Sequence, residues 1–342
     1  MNKRLIAFLS IISVCLSVFL TEAKAIENGE SALNDPRILS MYVANPNNVN
    51  YLFPGCSAWL YAPRIVFAVG HCVHDQSQKP KKILVSTSVT FAGKPGAVTT
   101  YGLPASQVRA SKIFVYDSFD WYSATPGGSL SYKDDFAVVV LEKPLANVET
   151  AGLATKQFLD DLISKNQFVE TGGYGYQDNS RQDKPGTEPK KARFQLISFA
   201  EGMRTVNEWK QKWNRTYFQE DAVFVKLPKN GAAPCDKDSG SGYFYNENGK
   251  FTYLGISMGP IGSPNCGLET WTDTAVGVFR PVYLDVDMVK LAEKYVLDNP
   301  YVEPKVTNSS SNKKTTITCI KGIKTKKVIT VNPKCPVGYK KK

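Results

Sequence analysis

Short apolar runs separated by turn residues fill most of the chain from Ile26 to about Pro281. The runs are rich in Val, Ile, Phe and Tyr, which favour strands, and turn-forming residues interrupt them at short intervals. The pattern predicts an all-β protein built as an antiparallel barrel or sandwich. The predicted strands are Ser57–Leu60, Ile65–Val69, Ile83–Val89, Lys112–Tyr116, Phe136–Leu141, Phe194–Phe199, Val223–Leu227, Thr252–Ser257 and Ala275–Val282.

Two segments have helical periodicity instead. The first is Thr155–Lys165, and the second is Asp285–Leu297, where apolar residues recur at helical spacing behind an acidic start. We expect the second helix to close the globular part of the chain. The overall composition, with 42% hydrophobic and 21% charged residues, is that of an ordinary globular protein.

The amino terminus has the pattern of an export signal. The apolar run Leu5–Leu20 follows Lys3 and Arg4 and precedes the small-residue sequence Ala23-Lys24-Ala25. A basic start, a short apolar stretch and a small-residue cleavage site are typical of a secretory signal peptide. The sequence therefore predicts a signal peptide over residues 1–25 and a secreted, extracellular protein.

The net charge of +11 is concentrated at the carboxyl terminus. Residues 301–342 contain eleven Lys and one Glu, whereas residues 26–300 contain 28 basic and 29 acidic side chains. The body is thus nearly neutral, which argues against a nucleic-acid-binding protein or adhesin that acts through charge.

The composition also changes after residue 300. Residues 301–314 are polar and predict a linker, because they have little to bury. Residues 315–342 regain the alternation of strands, and the stretch between Cys319 and Cys335 can form one disulfide-stapled hairpin. The predicted organisation is a signal peptide (1–25), a main domain (26–300), a linker (301–314) and a basic segment (315–342).

Six cysteines remain when the signal peptide, which contains Cys15, is set aside. An even number in an exported chain indicates disulfides, although six cysteines allow fifteen pairings. Local pairing is favoured because the cysteines form three close couples along the sequence. The couples are Cys56 with Cys72, Cys235 with Cys266, and Cys319 with Cys335.

Three segments carry residues of a nucleophilic site. His71 directly follows a predicted strand, Asp135 directly precedes another, and Ser239 lies in the sequence Asp238-Ser239-Gly240-Ser241-Gly242. The order His, Asp, Ser is one of the known arrangements of an activated serine. A serine hydroxyl barely ionises at neutral pH, so it needs an adjacent base whose tautomer is fixed by a carboxylate.

With these residues the chain resembles the trypsin and chymotrypsin family of serine endopeptidases, from Ile26 to about Leu297. The resemblance implies two six-stranded antiparallel β-barrels with a carboxyl-terminal helix. It also implies the first two disulfides, which leaves Cys319 to pair with Cys335. The further motifs in the family's order are Ile26–Ala32 at the mature amino terminus, Gly173-Tyr174-Gly175, Cys235–Gly242 around the serine, Ser257-Met258-Gly259 and Gly277-Val278-Phe279.

The resemblance implies a role for each residue of the site. Ser239 attacks the scissile carbonyl, His71 takes and returns the proton, and Asp135 orients His71. Asp134 is the alternative to Asp135, but the family's aspartate directly precedes the strand, so we expect Asp134 to be a solvated neighbour. We expect His74 to be a surface loop residue. No cofactor and no metal ion is expected.

The loop before the serine departs from the family pattern. The family has Gly where this chain has Lys237, whose N–H would form the oxyanion hole together with that of Ser239. Glycine adopts backbone conformations that other residues resist, so a flipped peptide at Lys237 would leave the hole half formed. The cost would be on the order of 10² to 10³ in rate. On that basis Lys237→Gly is expected to raise kcat. Ser241-Gly242, in place of the usual Gly-Pro, is a milder change.

The resemblance also predicts the specificity pocket and the activation step. Ala233 stands where the trypsin branch has an Asp, so we expect an uncharged residue before the cleaved bond. The other pocket positions are Ser257, Gly259 and Gly277, with the two glycines keeping the walls open. Ile26 directly follows Ala25, so removal of the signal peptide would free an ammonium that pairs with Asp238.

Alternatives remain for the domain and for the tail. A catalytically weak or inactive binding protein on the same fold is the alternative to a secreted endopeptidase, and the intact His71, Asp135 and Ser239 favour the enzyme. The basic tail resembles Lys-rich, Cys-flanked segments of secreted bacterial proteins. It either holds the protein on an anionic cell wall, phospholipid or nucleic acid, or is a flexible appendage. The expected partners are a protein or peptide substrate and an anionic cell-surface polymer.

Overall fold

The computed structural model describes residues 26, 29–45, 48–75, 82–83, 89–92, 107–119, 130–131, 134–175, 188–213, 217–218, 221–228, 231–261, 275–303 and 314–342. The signal peptide prediction therefore lies outside the described residues. The chain divides into two compact units, Met1–Tyr301 and Val302–Lys342. No helix of the described residues is long and apolar enough to span a membrane.

The first half of the larger unit forms a closed barrel of six antiparallel strands. Two of its strands are buried over their whole length, because every position carries an aliphatic, aromatic or small side chain. The barrel order is β10-β4-β3-β2-β7-β8, with β5 pairing β6 outside it. The strands of this half are β1 (Glu30–Ser31), β2 (Ile38–Asn45), β3 (Asn48–Ala62), β4 (Ile65–Ala68), β5 (His74–Asp75), β6 (Lys82–Ile83), β7 (Val89–Ala92), β8 (Val108–Val115), β9 (Leu130–Ser131) and β10 (Ala137–Leu141).

The second half forms another closed barrel of six antiparallel strands. Its strands follow the order β13-β12-β16-β17-β18-β15, and pairing of β15 with β13 closes the ring. The strand β1 extends this sheet at β13, and β11 pairs β17 in parallel. The strands of this half are β11 (Gly152–Leu153), β12 (Phe168–Gly173), β13 (Lys190–Ile197), β14 (Tyr217–Phe218), β15 (Val223–Lys226), β16 (Gly242–Glu247), β17 (Lys250–Ile261) and β18 (Val276–Pro281).

The two barrels share one hydrophobic core. Tyr253 of the second barrel contacts Trp59 and Phe67 of the first, with ring centroids 4.7 Å and 4.8 Å apart. All three side chains are fully buried. Burial of such large rings fixes how the barrels sit against each other. The prediction of two six-stranded antiparallel barrels is confirmed.

Both predicted helices are present. The helix α1 (Lys156–Ser164) begins after Thr155, whose Oγ1 accepts a hydrogen bond from Phe158 N–H at 3.2 Å. The helix α2 (Phe199–Trp213) was not predicted, and part of it was assigned to the strand Phe194–Phe199. The helix α3 (Val286–Asp298) is the predicted terminal helix, and it buries Met288, Val289 and Ala292.

Close packing against the second barrel explains the glycine inside α2. Gly202 lies within this helix, and a Cβ at that position would overlap the ring of Phe224. Glycine normally weakens a helix interior. Here it lets the helix backbone approach the second barrel, which only the tertiary structure reveals.

The smaller unit is a three-stranded antiparallel sheet with the order β20-β19-β21, where β19 is Thr315–Lys321, β20 is Lys324–Thr330 and β21 is Lys340–Lys341. The predicted hairpin is thus present and gains a third short strand. Ile317 and Cys319 are its buried apolar side chains. So small a core needs a covalent cross-link to be stable, and the Cys319–Cys335 disulfide provides it.

The disulfide predictions are confirmed for Cys56 with Cys72 and for Cys319 with Cys335. Cys235 is also disulfide-bonded. Cys266 lies outside the described residues, so its pairing with Cys235 stays a prediction.

Candidate active site

His71 lies in a short 3-10 turn, Gly70–Cys72, just after β4. Its ring Nδ1 is 2.7 Å from Oδ2 of Asp135, and its main-chain N–H donates to Oδ1 at 2.8 Å. Asp135 is completely buried. A buried carboxylate beside Nδ1 favours the proton on that nitrogen, so Nε2 carries the basic lone pair.

The register of the first barrel brings His71 and Asp135 together. Strand β10, which begins two residues after Asp135, pairs with β4, so that Ala137 lies opposite Ala68. Gly70 keeps the approach clear, because a Cβ there would lie 3.2 Å from Asp135 Oδ1. The two residues therefore meet at the ends of neighbouring strands.

The prediction that His74 is a surface residue is wrong. His74 is buried, its Nδ1 is 2.7 Å from Gly70 O, and its ring packs against Phe119 at 5.2 Å between centroids. The polar residues that follow His74 suggested exposure, but the ring of Phe119, more than forty positions away, packs against it. His74 thus holds the turn that carries His71.

The prediction that Asp134 is a solvated neighbour is also wrong. Asp134 is partly buried, accepts a hydrogen bond from Ser118 Oγ at 2.7 Å, and lies 3.6 Å from the Arg280 guanidinium. Arg280 also donates two hydrogen bonds of 2.9 Å to the fully buried Asp285. Asp134 belongs to this ion cluster between the barrels, next to Asp135.

Ser239 lies in the loop between Cys235 and β16, pressed against β3. Its carbonyl accepts a hydrogen bond from Ser57 N–H at 3.1 Å. Gly240 has φ of +88°, and a Cβ there would overlap Ser57 O. Ser57 follows Cys56, whose disulfide partner Cys72 directly follows His71. One hydrogen bond and one disulfide therefore connect Ser239 to the turn that carries His71.

Lys237 has the backbone conformation expected of glycine, with φ of +76°. Its carbonyl accepts a hydrogen bond from Ser57 Oγ at 2.9 Å. Among the residues that the structure describes, the main-chain N–H groups of Lys237 and Ser239 form no hydrogen bond. Two such donors are what an oxyanion would need.

Asp238 is buried between the same loop and the Gly173–Gly175 turn. Its Oδ1 accepts from Gly175 N–H at 2.8 Å and its Oδ2 from Cys235 N–H at 2.9 Å. A Cβ at Gly173 or Gly175 would overlap the carboxylate, which explains these glycines.

The Asp238 carboxylate has no cationic partner within the described part of the chain. Burial raises its pKa to about 7, although the hydrogen bonds from Cys235 and Gly175 oppose the shift. Ile26 is also fully buried. In the full chain its nitrogen belongs to a peptide bond and carries no charge.

The predicted pocket residues differ in what surrounds them. Ala233 and Ser257 are fully buried. Gly259 has φ of +110°, and among the described residues nothing lies within 4 Å of where a Cβ would stand. At Gly277 the expectation of an open wall is wrong, because a Cβ there would lie 2.8 Å from Tyr243 Oη and from Val225 Cγ2.

Sequence reasoning missed Ser57. Its hydroxyl donates to Lys237 O, accepts from Tyr174 N–H at 2.8 Å, and lies 3.5 Å from Asp238 Oδ1. It thus connects the serine loop with the Gly173–Gly175 turn. A serine after a cysteine gives no sequence signal for this role, because its partners are more than a hundred positions away.

In the comparison with protein families, the chain matches the family Trypsin over residues 29–289. The match covers most of the chain, including both barrels and the residues described above. The chain therefore belongs to the trypsin family, the serine proteases that the resemblance indicated. No curated protein matches the chain.

Proposed function

We propose that this protein is a secreted serine endopeptidase that forms an acyl-enzyme on Ser239. The observation that supports it best is the double contact between the buried Asp135 and His71, at 2.7 Å and 2.8 Å. A carboxylate in this position stabilises the imidazolium that forms when the histidine takes a proton.

The proposed reaction has two stages, acylation of Ser239 and hydrolysis of the resulting ester. Ser239 Oγ bonds to the scissile carbonyl carbon while its proton passes to His71 Nε2, and the carbonyl oxygen becomes an oxyanion. His71 then gives the proton to the leaving amine, the carbon–nitrogen bond breaks, and an ester on Ser239 remains. Water repeats the sequence with the ester, which releases the acid and restores the serine.

The N–H groups of Lys237 and Ser239 are the proposed donors to the oxyanion. The positive φ at Lys237 supports this role, because it is the conformation that glycine would supply. Removal of one such donor costs on the order of 10² to 10³ in rate in other serine proteases.

The proposed specificity is for an uncharged residue before the cleaved bond. Ala233 is buried and offers no carboxylate to bind Lys or Arg. The space beside Gly259, which no described residue fills, leaves room along the proposed pocket wall. The pocket is then selective through shape and apolar contact.

The proposed activation step is removal of residues 1–25, which frees the Ile26 ammonium to pair with Asp238. The buried Asp238 carboxylate, which no cation of the described residues pairs, supports this pairing. We expect the pair to raise the pKa of the ammonium, because the attraction outweighs desolvation. The stabilisation is then complete below the unfolded amine pKa of about 8 and is lost as the pH rises through the folded value.

Covalent labelling tests the proposed peptidase. A fluorophosphonate should label the mature protein, and Ser239→Ala should abolish both labelling and peptide hydrolysis. Ser241→Ala is the matched control, because it makes the same change two residues away and should keep the label. Labelling that persists in Ser239→Ala would rule out the assignment. A folded mature protein without labelling would favour the binding-protein alternative.

We also propose that the basic carboxyl-terminal unit holds the protease on an anionic surface. Residues 314–342 contain nine Lys and no acidic side chain, and all nine lysines are exposed. Such an attachment weakens as salt increases. The two disulfides described above are compatible with the extracellular location that this role requires.

A further inference from the structure

Two turns lie at the same end of the carboxyl-terminal sheet. Gly322 and Ile323 connect β19 to β20, where Lys321 is opposite Lys324. The second turn, Pro336–Tyr339, leads into β21 and is closed by a hydrogen bond from Tyr339 N–H to Pro336 O at 2.9 Å.

The register of β21 shows that the two turns are neighbours. Ile320, two residues before the first turn, pairs with Lys340, which directly follows the second. A Cβ at Gly338 would lie 3.1 Å from Lys321 Nζ. The end that both turns form is called the tip below.

The tip carries an unusual pair of apolar side chains. Ile323 and Val337 are both fully exposed, and they are the most exposed large apolar side chains of the described residues. Each stands at the apex of a turn rather than on a sheet face. Two fully exposed aliphatic side chains on neighbouring turns indicate an interaction site.

Three lysines lie at the strand ends beside these two turns. Lys321, Lys324 and Lys340 flank the turns, and all three are exposed. Lysine can keep its ammonium at a charged surface while its methylene stem lies against an apolar phase. The tip thus combines two aliphatic apices with three exposed lysines beside them.

We propose that the tip inserts Ile323 and Val337 into the surface of an anionic phospholipid bilayer. The proposal rests on the anionic attachment proposed above and names the surface. A polyphosphate or other soluble polyanion offers no apolar phase for two aliphatic side chains, and proteins that bind single-stranded nucleic acid add aromatic side chains for base stacking to their positive charge, whereas the two apices here are aliphatic. A bilayer offers acidic headgroups and an apolar phase within a few ångströms of each other.

The lysines and the apolar residues are both required. Two aliphatic side chains give only weak binding, as a single lipid chain does, so a second signal is needed. Each lysine near an acidic leaflet strengthens binding by about five-fold. The binding should therefore depend on phosphatidylglycerol and on salt.

Vesicle co-sedimentation tests the proposal with the mature chain, residues 26–342, carrying Ser239→Ala, which prevents self-cleavage and leaves out the apolar run Leu5–Leu20. The probes are vesicles of phosphatidylcholine with phosphatidylglycerol, and soluble polyphosphate. Ile323→Ser with Val337→Ser leaves the charge unchanged and should weaken vesicle binding on the order of ten-fold or more. Polyphosphate binding should not change.

Ile329→Ser is the matched control. Ile329 is exposed, but it lies on β20 opposite Thr316, away from the tip, so this variant should bind vesicles normally. Mapping of the Cys319–Cys335 disulfide and circular dichroism establish that each variant is folded.

The outcomes distinguish insertion of the tip from the more general proposal that the basic carboxyl-terminal unit binds an anionic surface. Selective loss of vesicle binding in the tip variant supports insertion. Equal vesicle binding by the tip variant and the parent chain overturns it. Binding to polyphosphate without binding to vesicles also overturns insertion, but it supports the attachment of the basic unit to an anionic surface. Binding to neither vesicles nor polyphosphate overturns both the insertion and the attachment.

Discussion

Replacement of Lys237 by Gly separates backbone strain from catalysis. Lys237 has φ of +76°, in the left-handed region, which costs an L-residue about 1–2 kcal/mol. Glycine avoids this strain. It also lowers the free energy of unfolding by about 0.4–1 kcal/mol, because it gives the unfolded chain greater conformational freedom. We therefore expect Lys237→Gly to raise the free energy of unfolding by about 0.5–1 kcal/mol, the difference between the two effects.

The same geometry predicts little effect on the rate. The backbone already has the conformation that glycine would adopt, so the N–H direction should be retained. We expect kcat to stay within about two-fold and KM to be unchanged, in contrast to the 10² to 10³ gain that a flipped peptide would imply.

The assay compares urea unfolding with steady-state hydrolysis, after titration of active sites. Lys237→Ala is the matched control, because it removes the same side chain but keeps the strained φ, and it should gain no stability. Asn248→Gly, at φ of +54° in an exposed turn, should gain only a few tenths of a kcal/mol, because asparagine tolerates this region.

Two results would refute the reasoning. A rise of 10² or more in kcat for Lys237→Gly would mean that the working backbone differs from the one described. Equal stabilisation by Lys237→Ala and Lys237→Gly would mean that the lysine side chain, and not its φ, is the source of the strain.

Three further predictions concern buried groups. Burial raises the pKa of Asp238 to about 7, so the uncut chain should lose stability as the pH rises from about 4 to 7, and Asp238→Asn should flatten that dependence in urea unfolding. Arg280→Met leaves the Asp285 carboxylate buried and unpaired and should cost about 3–5 kcal/mol, whereas Lys294→Ala, at an exposed pair, should change the unfolding free energy little. Gly202→Ala forces a side chain against the second barrel and should lower the unfolding free energy by about 1–3 kcal/mol.

The hydrophobic pattern by itself predicted an all-β barrel or sandwich, and the resemblance to the family implied the two barrels and the roles of the site residues. Strand-like runs such as Ile65–Val69 and Phe136–Leu141 are apolar over their whole length, so burial on both sides can be read from composition. His71, Asp135 and Ser239 each lie beside a local motif, and the family's order connects them. Two disulfides followed from the spacing of their cysteines and from the same resemblance.

Other features required the tertiary structure. Ser57 and Lys237 meet across 180 positions, and Arg280 reaches the Asp134 turn of the other barrel. Local periodicity identifies which residues share a face, but it carries no information about which distant loops a closed barrel brings together. The exposure of His74 was misjudged for this reason. The positive φ at Lys237 was likewise decided by the packing of its loop against β3, against the intrinsic preference of lysine.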